Sequence, residues 1–261
     1  MPFESVDNYQ FAPGPEAPDD VVAAMREVVT ALDRPLTVPA DPDARARALR
    51  RLSEERIHAQ RWLDDAGVTA VDLDPLVRTR SGDPALCALL AGYLRERRLE
   101  DMEADFAETY VSNARSGEVV KGHAIVLAEL GLCPFSGTVV RDASLFHGRR
   151  AKDRRAQHLL SRMGFVQALF HRATPTDLRL FRGLGVDGPL PPPRPASFVS
   201  ATFSFDVAIA HFHADRATAA LYRQRLPVDR LFMTFVETSA MNRQFREAEA
   251  VLIGDPDNRA F

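Results

Sequence analysis

The chain has 261 residues, of which 46% are hydrophobic and 26% are charged, and this is the composition of a globular protein that can bury a full core. A formal net charge of −3 excludes a bulk electrostatic attraction to nucleic acid or to an anionic membrane surface. Because the N-terminal residues lack the basic and apolar parts of a signal peptide, and no run approaches the ~20 apolar residues of a membrane span, we expect a soluble, cytoplasmic protein.

The first half of the chain is predicted to be helical. After an irregular lead-in over residues 1–18, Asp19 is expected to cap a helix that has apolar residues at three- and four-residue steps. A second helix is predicted from Pro42 to Ala66, where Gly67 ends it. The side of this helix that is expected to face the core carries Leu49, Leu52, Trp62 and Leu63. Further helices are predicted over about 84–98, 100–113, 118–130 and 150–172.

The second half of the chain is predicted to carry short strands. From Asp177 onward the apolar stretches are short, rich in branched or aromatic residues, and separated by turn residues. The predicted elements are strands Asp177–Leu184, Ser197–Thr202, Arg230–Glu237 and Ala250–Ile253, and a short helix Asp206–His213. A strand-rich half after a helix-rich half predicts the α+β class, with a helical region over residues 1–148 and a second domain over residues 149–261.

Arg182 stands late in the first predicted strand, directly before Gly183. A guanidinium offers a fixed fork of donors for phosphate oxygens, and a glycine lets a ligand approach the backbone. An arginine that forms an ion pair at the surface of an edge strand fits the same residues. Taken alone, this pair therefore leaves phosphate binding and a surface ion pair both open.

Two further pairs of polar residues follow on later strands. Ser200 and Thr202 share one strand face, where their hydroxyls are expected to orient a neighbouring carboxylate; the alternative is that they bond the sheet edge and cap the next helix. Glu247 and Glu249 lie on one face at the start of the last strand, where like charges raise one pKa. In such a pair one carboxylate can stabilise positive charge on a sugar while the other accepts a proton. The alternative is that both are solvent-exposed acids at the start of a strand.

The order Arg182, Ser200 and Glu249, with separations of 18 and 49 residues, resembles the ADP-ribosyltransferase superfamily in its arginine–serine–glutamate class. The segment SATFSFDVAIAHF, which begins at Ser200, resembles the Ser-Thr-Ser strand of that family and the helix after it. At Ala201 and Thr202 the segment departs from the Thr and Ser that the family often has.

Glu247-Ala248-Glu249 is similar to the Glu-x-Glu signature of superfamily members that modify arginine. Short segments also resemble the dinitrogenase reductase ADP-ribosyltransferases, and they are Leu180–Gly183, Val251–Gly254, Lys121-Gly122, Gly131-Leu132 and Pro134. This resemblance implies that the acceptor is an arginine on the nitrogenase iron protein, and that a nitrogen-status signal protein regulates the activity. The net charge and the lack of an apolar run of membrane-spanning length, by contrast, are the reasons to expect no nucleic-acid partner and no membrane partner.

The resemblance also implies a fold and a set of roles. The fold would be a split β-sandwich, with NAD as co-substrate in a cleft between two small sheets. Arg182 would contact the NAD phosphates, and the backbone at Gly183 would hold the nicotinamide amide. Ser200, with Thr202 beside it in the cofactor site, would position Glu249. Glu249 would bond the ribose 2′-hydroxyl and stabilise an oxocarbenium-like state as nicotinamide leaves.

Glu247 would then orient the acceptor guanidine and help to remove its proton. The segment 238–246 would form a loop that faces the acceptor, with Gln244 and Phe245 as its contacts. An NAD glycohydrolase, or a toxin-type transferase with another acceptor, fits the same residues, and a catalytically inactive helical interaction protein is a further alternative. No metal site is predicted, because no spacing of His, Cys and Asp provides a ligand set.

Overall fold

A computed structural model describes residues 33–114, 118–140, 151–173, 177–190, 196–212, 216–242 and 246–254. The helices are α1 (Pro42–Asp65), α2 (Leu73–Thr79), α3 (Pro84–Glu96), α4 (Glu100–Asn113), α5 (Glu118–Glu129), α6 (Lys152–Phe170) and α7 (Phe205–Ala210). The strands are β1 (Asp33–Val38), β2 (Phe135–Val140), β3 (Asp177–Val186), β4 (Phe198–Thr202), β5 (Thr218–Pro227), β6 (Leu231–Thr234) and β7 (Glu249–Ile253). They form an α+β structure with two antiparallel sheets. Among the described helices, none combines the length and the apolar character that crossing a bilayer requires.

Helix α1 has the ends that its sequence predicts. The Asp41 carboxylate accepts hydrogen bonds from two amides of the first turn, and Pro42 begins the helix without losing a bond. After the helix, Gly67 has a φ of 74°, a left-handed conformation that glycine adopts at little cost. The helices predicted over 84–98, 100–113 and 118–130 are present as α3, α4 and α5. The helix predicted from Asp19 lies outside the described residues.

Helix α6 lies at the centre of the core. All of its residues from His158 to Phe170 are buried, because α1 packs on one side of it and β6 on another. Gly164 permits the close approach of α1, since a β-carbon there would lie 2.8 Å from the α1 backbone. In α1, Leu52 and Leu63 are buried as predicted, whereas Leu49 is 47% exposed and does not face the core.

A small sheet lies in the part of the chain that the sequence predicts to be helical. Strands β1 and β2 pair in antiparallel fashion, with Val38 opposite Phe135. Since the two strands are about a hundred residues apart and β1 contains Pro35, no local alternation indicates this pairing. The boundary predicted between residues 148 and 149 lies outside the described residues. One buried core joins side chains of the helices to side chains of the larger sheet.

The larger sheet has the strand order β5-β3-β4-β7-β6, and all of its strand pairs are antiparallel. Strands β3 and β5 pair along their whole length, and so do β4 and β7. Strands β3 and β4, by contrast, are joined by the single residue pair Phe181 and Thr202. The sheet therefore consists of two groups of strands, β5-β3 and β4-β7-β6, that are linked at one point.

Two strands differ from the sequence prediction. Strand β5 has no predicted counterpart, because its half-exposed residues TAALYRQRLP carry charges among few branched residues and it lies at the sheet edge. The strand predicted over Arg230–Glu237 is shorter, since the chain turns after Thr234. The Glu237 carboxylate accepts a hydrogen bond from the Thr234 amide at 2.8 Å and closes that turn.

Candidate active site

The register of β4 against β7 brings Ser200 close to Glu249. Thr202 lies directly opposite Glu249, and Ser200 lies opposite Val251, so Ser200 and Glu249 are diagonal neighbours on one face of the sheet. The glutamate side chain is long enough to span that diagonal, and the Ser200 hydroxyl donates a hydrogen bond to Glu249 Oε1 at 2.5 Å. Ser200 thus holds the carboxylate, as the alternation of β4 predicts.

Thr202 has different partners. Its hydroxyl donates to the carbonyl oxygen of Glu247 at 2.6 Å and accepts from the amide of Ser204 at 3.0 Å. The expectation that Thr202 also orients a carboxylate is therefore wrong, because its hydroxyl is bonded to backbone groups. Through these two hydrogen bonds, Thr202 links the backbone before β7 to Ser204 at the start of α7.

Ala248 separates the two glutamates in a left-handed conformation, with a φ of 46°. This conformation costs a non-glycine residue about 1–2 kcal/mol. The Phe203 amide donates to the carbonyl oxygen of Ala248 at 3.0 Å and helps to hold it. Strand β7 begins at Glu249, so the prediction that Glu247 belongs to the same alternating strand is wrong. The two carboxylates nevertheless border the same cavities.

The Glu249 carboxyl has a raised pKa. Burial is the largest cause; the hydrogen bond from Ser200 lowers the pKa, the charge of Glu247 raises it, and His211 lowers it. His211 Nε2 lies 3.2 Å from Glu247 Oε1, where a protonated imidazole offsets part of the charge of Glu247. The two carboxylates are therefore close enough to influence each other, and the His211 imidazole contacts that of Glu247.

A cavity of about 190 Å³, which we call the strand cleft, lies where the two groups of strands are linked. Strands β3 and β4, helix α7 and the two glutamates line it. The lining residues are Phe181, Arg182, Gly183, Leu184, Ser200, Ala201, Thr202, Val207, Ala208, His211, Glu247 and Glu249. The arginine, serine and glutamates that the sequence singles out thus border one cavity, although they come from three strands and the segment before β7.

Gly183 is required by packing. A β-carbon at residue 183 would lie 1.9 Å from the carbonyl oxygen of Ala208 and 2.8 Å from the amide nitrogen of Phe212. The space that a side chain would occupy is therefore filled by the backbone of α7 and of the turn after it. The expectation that the missing side chain admits a ligand is wrong for that direction, even though Gly183 also borders the strand cleft.

A second cavity of about 150 Å³, which we call the helix cavity, borders the same glutamates. Its lining residues are Tyr110, Val111, Ala114, Met241, Glu247 and Glu249. Among the described residues, the helix cavity and the strand cleft share the two glutamates and no other lining residue. The sequence gives no signal for Tyr110, because a tyrosine in an amphipathic helix is typical of core packing.

A buried ionic network holds the turn that follows β6. The Arg162 guanidinium, which is fully buried, bonds Glu103 of α4, Glu237 and the hydroxyl of Thr238. Burial by itself raises the pKa of Glu103, but Arg162 and His158 outweigh it and lower that pKa to about 2. The network therefore ties α4 and α6 to the turn that leads towards Met241.

Two of the predicted site residues, Gln244 and Phe245, lie outside the described residues. Within the described ranges there is no group of three or more His, Cys, Asp and Glu side chains that could hold a metal ion. No protein-family model, curated protein or solved structure matches the chain.

Proposed function

We propose that the chain is a mono-ADP-ribosyltransferase, which moves ADP-ribose from NAD to an arginine side chain of a target protein. The observation that carries the proposal is the meeting of Arg182, Ser200 and Glu249 at one cleft, with the Ser200 hydroxyl bonded to the Glu249 carboxylate. These three residue types, in this chain order, resemble the arginine–serine–glutamate class of ADP-ribosyltransferases.

The fold of the larger sheet supports the proposal. An ADP-ribosyltransferase-like split β-sandwich needs two small sheets with a cleft between them. Here β5-β3 and β4-β7-β6 are linked by one residue pair, and the strand cleft lies beside that pair. The division of the sheet is thus of the kind that such a fold requires.

The size of the strand cleft favours one end of NAD. Its volume of about 190 Å³ is smaller than the roughly 300–1,000 Å³ of pockets that enclose a drug-sized ligand. We assign it to the nicotinamide and its ribose, where the reaction takes place. Arg182, as a forked cation at the β3 side of the cleft, would then bind the phosphates beyond the ribose.

Glu249 would stabilise the transition state. When the bond between ribose C1′ and nicotinamide breaks, the bonding electrons leave with nicotinamide and positive charge develops on the ribose. A fixed carboxylate beside that charge lowers the barrier, and removal of such a group typically slows a reaction about 100- to 1,000-fold. Ser200 would keep the Glu249 carboxylate in one orientation. Because the acid must be ionised for this role, its raised pKa predicts loss of activity as the pH falls.

Glu247 would act on the acceptor. It borders both cavities and is half-buried, so it can meet a guanidinium that approaches the ribose. On the sequence resemblance we also propose a nitrogenase iron protein as the target and a nitrogen-status signal protein as regulator. A cytoplasmic location belongs to the same proposal.

Incubation with NAD that is radiolabelled in its adenylate part tests the proposal. We expect label on the nitrogenase iron protein or on a small guanidine, and we expect Glu249→Gln to lose both this transfer and NAD cleavage. Glu247→Gln should lose transfer and retain NAD cleavage, because it removes the group that acts on the acceptor. Glu54→Gln is the matched control, since Glu54 is exposed on α1.

The products separate the alternatives. Free ADP-ribose with no labelled acceptor would indicate an NAD glycohydrolase. Absence of any NAD cleavage, by protein with the wild-type fold, would refute the enzymatic proposal and favour an interaction protein. Full transfer by Glu249→Gln would remove the central role that we give to that residue.

A further inference from the structure

The helix cavity provides a second approach to the two glutamates. It is bordered on one side by Tyr110, Val111 and Ala114 at the end of α4, and by Met241 on the other. Its described walls combine the apolar side chains of Val111, Ala114 and Met241 with the carboxylates of Glu247 and Glu249. Any ligand that occupies it would contact both carboxylates without entering the strand cleft.

Tyr110 gives this cavity a fixed aromatic wall. Its side chain is 4% exposed, and its ring stacks on Phe106 at 5.8 Å and meets Phe198 edge to face at 6.1 Å. Burial raises the pKa of Tyr110, the charge of Glu249 raises it further, and Arg182 lowers it. The phenol is therefore neutral, and Tyr110 lines the helix cavity beside the two glutamates. A neutral phenol at the edge of a cavity can donate a hydrogen bond to a polar ligand or accept one from it.

The chemistry of these walls selects a particular cation. Two carboxylates attract positive charge, and a guanidinium can donate parallel hydrogen bonds to a carboxylate. A guanidinium is also planar, stacks on aromatic rings, and gives up its hydration more readily than an ammonium ion. A cavity that combines an aromatic side chain with two carboxylates therefore favours a guanidinium over a lysine ammonium.

We propose that the helix cavity is the acceptor subsite, which takes the guanidinium of the target arginine from the side of helix α4, with Tyr110 as a positioning residue. This inference rests on the proposed transferase function. In this assignment the helical part of the chain helps to bind the acceptor, through Tyr110, Val111 and Ala114 at the end of α4.

The two cavities then divide the reaction. NAD presents C1′ from the strand cleft, and the guanidinium arrives from the helix cavity, so that they meet at the shared carboxylates. A guanidine nitrogen forms a bond to C1′, the bond between C1′ and nicotinamide breaks, and nicotinamide leaves neutral with the electron pair. The attacking nitrogen gives up one proton, which Glu247 accepts and passes to solvent.

Filling the cavity tests this assignment. Ala114→Phe adds a ring at the C-terminal end of α4, and Ala66→Phe is its matched control, because Ala66 is an exposed residue at the corresponding end of α1. With methylguanidine as acceptor, we expect Ala114→Phe to raise the acceptor KM by about tenfold or more, which is the effect of losing a carboxylate–guanidinium contact. NAD cleavage without acceptor should fall by a smaller factor than the acceptor KM rises, because Ala114 lines the helix cavity and not the strand cleft.

Tyr110→Phe provides a second variant that keeps the ring and removes the hydroxyl. We expect the methylguanidine KM to rise about two- to tenfold, as for the loss of one hydrogen bond, and NAD cleavage without acceptor to fall by a smaller factor. If Ala114→Phe does not fold, the methylguanidine KM of Tyr110→Phe tests the assignment of the acceptor subsite. An unchanged KM for methylguanidine in both folded variants would overturn the assignment, and so would an equal preference for methylamine.

Calorimetric titration of methylguanidine into the protein without NAD separates this inference from the proposed function. Binding that Ala114→Phe abolishes and Ala66→Phe retains would support a guanidinium site, even in a protein that cleaves no NAD. NAD cleavage together with methylguanidine binding that Ala114→Phe leaves intact would refute the subsite and leave the NAD chemistry standing.

Discussion

Replacement of Ser200 by alanine removes one hydrogen bond and leaves the fold of β4 in place. The Ser200 hydroxyl donates to the Glu249 carboxylate at 2.5 Å, and a hydrogen bond to a charged group contributes about 1.5–3 kcal/mol. Because Ser200 is exposed, solvent screening favours the lower part of this range. If the bond is fully used in the transition state, kcat for NAD cleavage at neutral pH should fall about tenfold, and by no more than about 100-fold.

The pH dependence carries a second, independent signature. The bond to Ser200 lowers the pKa of Glu249, which burial and Glu247 raise. Its loss should raise that pKa further, so the acidic limb of the pH profile of kcat/KM for NAD cleavage should move to higher pH. Ser136→Ala is the control, because Ser136 is an exposed residue of β2, and it should leave the acidic limb of the pH profile in place. A Ser200→Ala enzyme with wild-type kcat and an unmoved acidic limb would refute the role of this hydrogen bond.

Two further predictions concern packing and acid stability. Gly183→Ala should lower the free energy of unfolding by about 1–3 kcal/mol in urea titrations, because its β-carbon would meet the carbonyl oxygen of Ala208 at 1.9 Å; a wild-type midpoint would contradict this. The pKa of Glu103 is lowered from 4.5 to about 2, so its bond to Arg162 stabilises the fold above pH 4.5 and is lost as the pH falls towards 2. Glu103→Gln should therefore be less stable by about 3–5 kcal/mol at pH 7, with a weaker pH dependence between pH 4.5 and 2; equal unfolding free energies of both proteins at pH 7 would exclude this.

The parts of the site that depend on strand alternation can be predicted from the sequence. Ser200 reaches Glu249 because each lies on a strand with a regular two-residue period, and the pairing of β4 with β7 places them diagonally. The turn residues and caps that bound α1 are also local signals. The ends of α1 and the alternation of β4 are determined by residues that are neighbours in the chain, and there the prediction agrees with the structure.

Other parts depend on contacts between distant residues. The bend at Ala248 is held by bonds from β4 and the turn after it, and alanine gives no local sign of a positive φ. Gly183 suggests a ligand contact in the sequence, but the backbone of α7 fills the space beside it. Tyr110 meets the glutamates across more than a hundred residues of chain. Local periodicity cannot indicate that residues distant in the chain lie side by side, because tertiary packing brings them together.

The buried left-handed alanine limits how this chain can vary. Residue 248 is fully enclosed, so it has no space beyond a methyl group, and its φ of 46° penalises branched or bulky side chains. Glycine would relieve the backbone and would lose one buried methyl group, which contributes roughly 0.8 kcal/mol. A library randomised at codon 248 should therefore yield alanine and glycine among its folded members. The residue between the two acids is therefore restricted to small side chains, whichever residues stand at 247 and 249.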